Sequence, residues 1–155
     1  MMTPTPQPLP RAQDEHKVSR RKLLVVDDDP GIRRLVGRLL GRDFEIDAAN
    51  DGAEGLEKVR QQHFDLVLLD IAMPRMDGLT FLATATQLIP GMRVLMLTAD
   101  SDIESVKSAL DIGAQAYITK PFSAEDLRNV ITHLLSPDQE GETAGDGHRP
   151  WRLAP

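Results

Sequence analysis

The chain contains no cysteine. Disulfides, thiol nucleophiles and thiolate metal sites are therefore excluded, and any metal must be held by oxygen or imidazole ligands. No run approaches the roughly 18 to 20 consecutive apolar residues that cross a bilayer, and the opening stretch MMTPTPQPLPRAQDEHK has no apolar export segment. A soluble, cytoplasmic protein without membrane partners is the expectation. A phosphate-cradling Gly-x-x-x-x-Gly-Lys loop is missing as well, so a P-loop kinase or GTPase is excluded. Positive charge is in deficit: the formal net charge is −6, which opposes a nucleic-acid backbone normally met by a basic face. No nucleic-acid partner is expected.

A length of 155 residues allows about one domain. Residues 1–19 are rich in Pro, Gln and charge and lack apolar periodicity, so they are expected to remain a disordered arm. Residues 136–155 read as a similar disordered tail, with Trp151 and Leu153 as isolated apolar positions. The domain is placed at 20–135, and there is no internal repeat.

Within it, β and α patterns alternate. Residues 23–26, 44–48, 66–69, 94–97 and 116–119 are short and apolar. The first, third and fourth are apolar throughout, as strands covered on both faces are. Between and after them lie helical spacings: Ile32, Leu35, Val36, Leu39 and Leu40; Ala53, Leu56 and Val59; Leu79, Leu82, Ala85 and Ile89; Ile103, Val106, Ala109 and Leu110; Leu127, Val130, Ile131 and Leu134. Pro30 opens the first helix, with Asp29 as cap. Asn50-Asp51 caps the second, Gly113 ends the fourth, and Ser123 with Asp126 forms a capping box for the fifth. Five β/α units with right-handed crossovers predict a doubly wound α/β fold, with a five-stranded parallel sheet in the order 2-1-3-4-5.

Four apolar runs end in polar residues that packing does not require: LLVVDDD at 23–29, DLVLLD at 65–70, VLMLT at 94–98 and YITKPF at 117–122. In a parallel sheet their carboxyl ends share one edge, so Asp27, Asp28, Asp70, Thr98 and Lys120 converge on a crevice. Clustered carboxylates repel unless a cation joins them, and Mg²⁺ suits a shallow site with one or two carboxylates plus water and phosphate oxygens. Asp28 and Asp70 are the expected direct ligands, with Asp27 acting through water and the Ala72 carbonyl as a further candidate. With three ionised aspartates, Mg²⁺ and Lys120 bring the formal charge to zero. Converting one carboxylate to an acyl phosphate then leaves about −1, which the Thr98 hydroxyl can meet. Asp70, alone at the end of a central strand and followed by the turned loop IAMPRMDG, is the best nucleophile toward phosphorus.

The blocks VVDDDPGIRRLV, DLVLLDIAMPRMDGL, VLMLTA and AYITKPF stand in an order and spacing that resembles the receiver domain of two-component response regulators, a flavodoxin-like (β/α)5 fold, over residues 21–135. The resemblance implies Asp70 as phosphoacceptor and Mg²⁺ on Asp28, Asp70 and the Ala72 carbonyl, with Asp27 in support. It also implies Lys120 and Thr98 as phosphoryl contacts, Tyr117 as a switch residue with Thr98, and a cis Lys120–Pro121 peptide. A sensor histidine kinase or a histidine phosphotransfer protein is the implied donor. A downstream protein is the implied target, met through a face carrying Lys107, Ala109, Asp111 and Arg128. The expectation is a stand-alone regulator, monomeric or dimerising on phosphorylation, which is not an enzyme toward other substrates.

A phosphorelay intermediate shares that site, and a receiver-shaped interaction module would never be phosphorylated. A phosphohydrolase would need a second acid two residues after Asp70, where Ala72 stands. The four histidines, His16, His63, His133 and His148, are scattered and read as surface residues. Arg33, Arg34, Arg38 and Arg42 give the first helix a basic side, read as either solvated or partner-facing.

Overall fold

The computed structural model describes residues 20–73, 76–99, 103–136 and 151–153. Its elements are β1 (Lys22–Val26), α1 (Pro30–Leu40), β2 (Glu45–Ala49), α2 (Gly52–Gln61), β3 (Leu66–Asp70), α3 (Gly78–Leu88), β4 (Val94–Ala99), α4 (Ile103–Ile112), β5 (Ala116–Lys120), α5 (Ala124–Leu135) and β6 (Trp151–Leu153). Strands β1 to β5 are parallel in the expected order 2-1-3-4-5, with β1, β3 and β4 central.

The tail expectation needs correction at residues 151–153. They form a sixth strand, antiparallel to β5, and extend the order to β2-β1-β3-β4-β5-β6. Only isolated apolar residues signal this strand. Its stability comes from a sheet edge remote in sequence, which local pattern cannot register. The other residues of the two terminal segments, 1–19, 137–150 and 154–155, lie outside the described residues.

Side chains alternate along each central strand and so divide the core in two. Leu23, Val25, Leu66, Leu68, Leu95 and Leu97 face α1 and α5, where Val36, Leu40, Leu127, Val130 and Ile131 meet them. Leu24, Val26, Val67, Leu69, Val94 and Met96 face the layer that contains Leu56, Phe81, Leu82, Ala85 and Ala109. Burying a side chain of this size is worth about 1.5–3 kcal/mol, so covering both faces fixes which residues of each strand point which way, and hence the register.

The expected caps are present. Asp29 Oδ1 accepts from Gly31 N at 2.8 Å, Asp51 Oδ1 from Glu54 N at 2.8 Å, and Ser123 Oγ from Asp126 N at 3.0 Å. Gly113 ends α4 at φ 138°, which favours glycine. Two predicted core positions are instead exposed. Leu35 lies on the outer side of α1, and Ala53 on that of α2, where Gly52 and Gly55 turn inward. A Cβ at Gly55 would stand 2.9 Å from Phe81 Cε2 and 3.0 Å from Val26 Cγ2, so α2 approaches the sheet through a glycine that apolar periodicity does not count.

Candidate functional site

β1, β3, β4 and β5 end together, and the register sets how far each one reaches. Val26 pairs with Leu69, Asp70 with Leu97, Thr98 with Thr119 and Ala99 with Lys120. Asp27 therefore follows β1 beside the residue that ends β3, while Thr98 stands one residue past Asp70's partner. One carboxylate oxygen each from Asp27, Asp28 and Asp70 lie within 4.8 Å of one another. Asp27 is fully buried, Asp70 is 8 % exposed, and Asp28 is open to solvent.

Asp27 is already committed. Its Oδ1 accepts from Asp29 N at 2.9 Å, and its Oδ2 lies 3.2 Å from Lys120 Nζ. Arg33 Nη1 donates to the Asp27 carbonyl oxygen at 2.7 Å, so this arginine braces the site's backbone rather than forming part of a uniform basic face on α1. Asp70 is held more loosely: Oδ1 accepts from Ala72 N at 3.2 Å, and Oδ2 lies 3.6 Å from Lys120 Nζ. Burial raises the Asp70 pKa, the Asp27 charge adds to it, and Lys120 and the Ala72 N–H work against both. With a further push from Asp28, the result is about 6 against an ordinary 3.8. A carboxyl so placed lacks positive charge.

The loop from Asp70 to α3 depends on a close approach at Gly78. Gly78 N donates to the Ile71 carbonyl at 3.0 Å, and a Cβ there would stand 2.3 Å from the Asp70 carbonyl oxygen. The Asp77-Gly78 pair signals a turn in the sequence, but the need for a residue without Cβ arises from contact with β3. Asp77 caps α3, accepting from Thr80 N at 2.7 Å. Pro74 and Arg75 lie outside the described residues.

Thr98 is 3 % exposed, and its hydroxyl donates to the Ala99 carbonyl at 2.9 Å rather than to Asp70. Tyr117 is half-buried and packs against the core cluster that contains Phe81, Met96 and Ala109. The Lys120–Pro121 peptide is cis, as the family resemblance implies. Of the expected target face, Lys107 and Asp111 are exposed on α4, but Ala109 is fully buried and cannot meet a partner. Arg128 points elsewhere: it donates to the Leu39 carbonyl at 2.8 Å and lies 3.7 Å from Asp43, toward the end of α1. Both misplacements arise because a helical repeat shows that a helix has two faces and leaves open which neighbour each one meets. His63 is exposed beside Asp65, and His133 lies in the last turn of α5. Neither belongs to the acidic cluster, and His16 and His148 lie outside the described residues.

Three carboxylates within 4.8 Å, one with a raised pKa and one solvent-facing, suit a hard divalent cation with open coordination positions. Asp28 and Asp70 are placed to ligate, whereas both Asp27 oxygens already serve Asp29 N–H and Lys120.

Comparison with known proteins agrees with this geometry. The sequence family described as the response regulator receiver domain matches residues 23–132. Among curated relatives, the chain is 38% identical over 133 residues to the transcriptional regulatory protein GlrR of Escherichia coli, and that match covers 85% of this chain but 29% of GlrR. It is 34% identical over 117 residues to the chemotaxis protein CheY of Halobacterium salinarum, covering 75% of this chain and 98% of that protein. Among solved structures, the CheY4 chemotaxis protein of Vibrio cholerae superposes with a TM-score of 0.72 at 31% identity, covering 76% of this chain and all of that one. A CheY-like receiver domain from Methanospirillum hungatei gives a TM-score of 0.72 at 36% identity, covering 76% of this chain and 94% of that one. The chain thus spans under a third of the transcriptional regulator and nearly the whole of the Halobacterium chemotaxis protein.

Proposed function

The chain belongs to the response regulator receiver family, and we propose that it accepts a phosphoryl group on Asp70 from a phosphohistidine of a partner kinase or phosphotransfer protein. In that transfer an Asp70 oxygen forms the new P–O bond while the P–N bond to the partner histidine breaks, and the imidazole leaves with the bonding electrons and takes up a proton. The observation that carries this reading is the Asp70 carboxyl. It is nearly buried at the centre of the acidic cluster and oriented by Ala72 N–H, with the Lys120 ammonium 3.6 Å away.

Mg²⁺, when bound, would neutralise the crowded carboxylates and orient the incoming phosphoryl oxygens. Asp28, Asp70 and the Ala72 carbonyl would hold it, with Asp27 assisting through water. Lys120 stays within reach of the added phosphoryl oxygens because its ammonium already bridges Asp27 and Asp70. The Thr98 hydroxyl gives up its bond to the Ala99 carbonyl and reorients toward the phosphoryl group. Tyr117, two positions before Thr119 on the strand paired with β4, responds to that movement and changes a surface met by a protein target.

Incubation with acetyl phosphate and Mg²⁺, followed by phosphate-affinity electrophoresis, tests the reading. A retarded band that is lost in Asp70→Asn supports it. Absence of retardation with both acetyl phosphate and a phosphorylated histidine donor would leave a receiver-shaped interaction module instead.

A further inference from the structure

A strand at the end of a sheet presents unpaired N–H and C=O groups, and an extended segment of another chain can add there. The two ends of the parallel sheet handle this differently. At β2 the outer strand is short and carries charge: Glu45 lies 3.6 Å from Lys22, and Asp47 lies 2.7 Å from Lys58. Charged residues of this kind discourage strand addition. β5, AYITK, has one charged residue, and Lys120 is occupied by Asp27 and Asp70. Its edge is covered by backbone instead. β6 lies antiparallel along it, with Ala116 opposite Leu153, Tyr117 opposite Arg152 and Ile118 opposite Trp151. Leu153 packs against the core layer of α1 and α5, and β6 also touches α5.

A strand of three residues forms few ladder bonds, so β6 is held also by the packing of Leu153 and by its covalent link to the domain. Fourteen residues separate Ser136 from Trp151. Because both strands belong to one chain, their pairing is intramolecular, which favours it over pairing between chains at micromolar protein. A weak strand with an intramolecular advantage is a cover that exchanges.

We propose that the β5 edge is a strand-accepting surface, and that Trp151–Leu153 of the same chain is its resident and exchangeable occupant. A competing segment would be an extended peptide with an apolar residue opposite Ala116. The inference stands apart from the Asp70 chemistry.

Hydrogen exchange on the full chain, with and without Leu153→Asp, tests it, using a peptide of residues 148–155, HRPWRLAP, as the probe. The β5 amides that point toward β6 are expected to exchange at least tenfold faster in Leu153→Asp, while the β3 amides keep their protection and so report an intact fold. Millimolar peptide is expected to restore β5 protection in that variant and to leave the unmodified chain unchanged. Equal β5 exchange in the two chains, or no restoration by the peptide, would overturn the proposal. A second variant, Ala116→Cys with Leu153→Cys in a chain that has no other cysteine, reads the pairing directly. A disulfide within one monomer is expected on mild oxidation. Disulfide-linked dimers would overturn residence within the same chain.

Discussion

Asp47 on β2 and Asp70 on β3 belong to the two strands that flank β1, yet the fold shifts their carboxyls in opposite directions. Burial tends to raise the Asp47 pKa and is outweighed by the Lys58 ammonium 2.7 Å away, the Ala48 N–H and the more distant Lys22, so that it falls below 3.8. Gln62 also donates to it at 3.2 Å. Asp70 is more deeply placed, shares its surroundings with two other acids, and has one ammonium between itself and Asp27. Its pKa rises to about 6. Asp47 is a satisfied structural acid, whereas the acidic cluster retains a negative charge that a cation can relieve. Surplus charge at the carboxyl end of the sheet marks a site more clearly than the residue type does.

The largest effect should come from removing the nucleophile. Asp70→Asn is expected to reduce phosphoryl uptake from acetyl phosphate to background, while Asp47→Asn leaves it within about twofold; gel retardation of the phosphorylated protein measures both. Lys120→Met should come next. It strips the fully buried Asp27 of its ammonium, and breaking a buried pair in this way costs about 3–5 kcal/mol. Urea unfolding at pH 7.5 measures the loss, and added Mg²⁺ is expected to recover part of it.

A smaller effect follows from the sign of the Asp70 shift. A carboxyl whose pKa is about 6 when folded and 3.8 when unfolded costs stability once ionised, so without divalent cations stability should rise as pH falls from about 6 toward 4. Asp70→Asn should remove that dependence and stabilise the chain at pH 7.5 by about 2 kcal/mol, allowing for solvent screening. A flat profile for the unmodified chain would erase the contrast with Asp47. Lys58→Met should have the smallest effect, under about 1 kcal/mol, because both partners are partly exposed. The Asp47 shift is downward, so this difference is expected at neutral pH and should vanish as pH falls below about 3.8; paired denaturation curves at pH 7 and pH 3 measure it.

The parallel order and the meeting of Asp27, Asp28, Asp70 and Lys120 at one edge were legible because each depends on short-range pattern. Uninterrupted apolar runs mark strands covered on both faces, and polar residues at their ends must emerge together when the strands run parallel. Asp29 was legible as a cap for a similar reason, its partner Gly31 being two residues away. Features set by contacts made only in the folded chain were not legible. Gly78 is required by the Asp70 backbone, Arg33 binds the Asp27 carbonyl, Ala109 is buried and Arg128 reaches Leu39.

What the sequence determined by itself is the set of strands, their polar endings and the chemistry those endings can support, since these follow from periodicity and residue type along the chain. Tertiary structure alone decided how charge is shared among the three acids, which side of each helix meets a neighbour, and that residues 151–153 close the β5 edge. Burial, Coulomb interaction and strand pairing depend on distances between segments far apart in sequence, and those distances exist only once the sheet has formed.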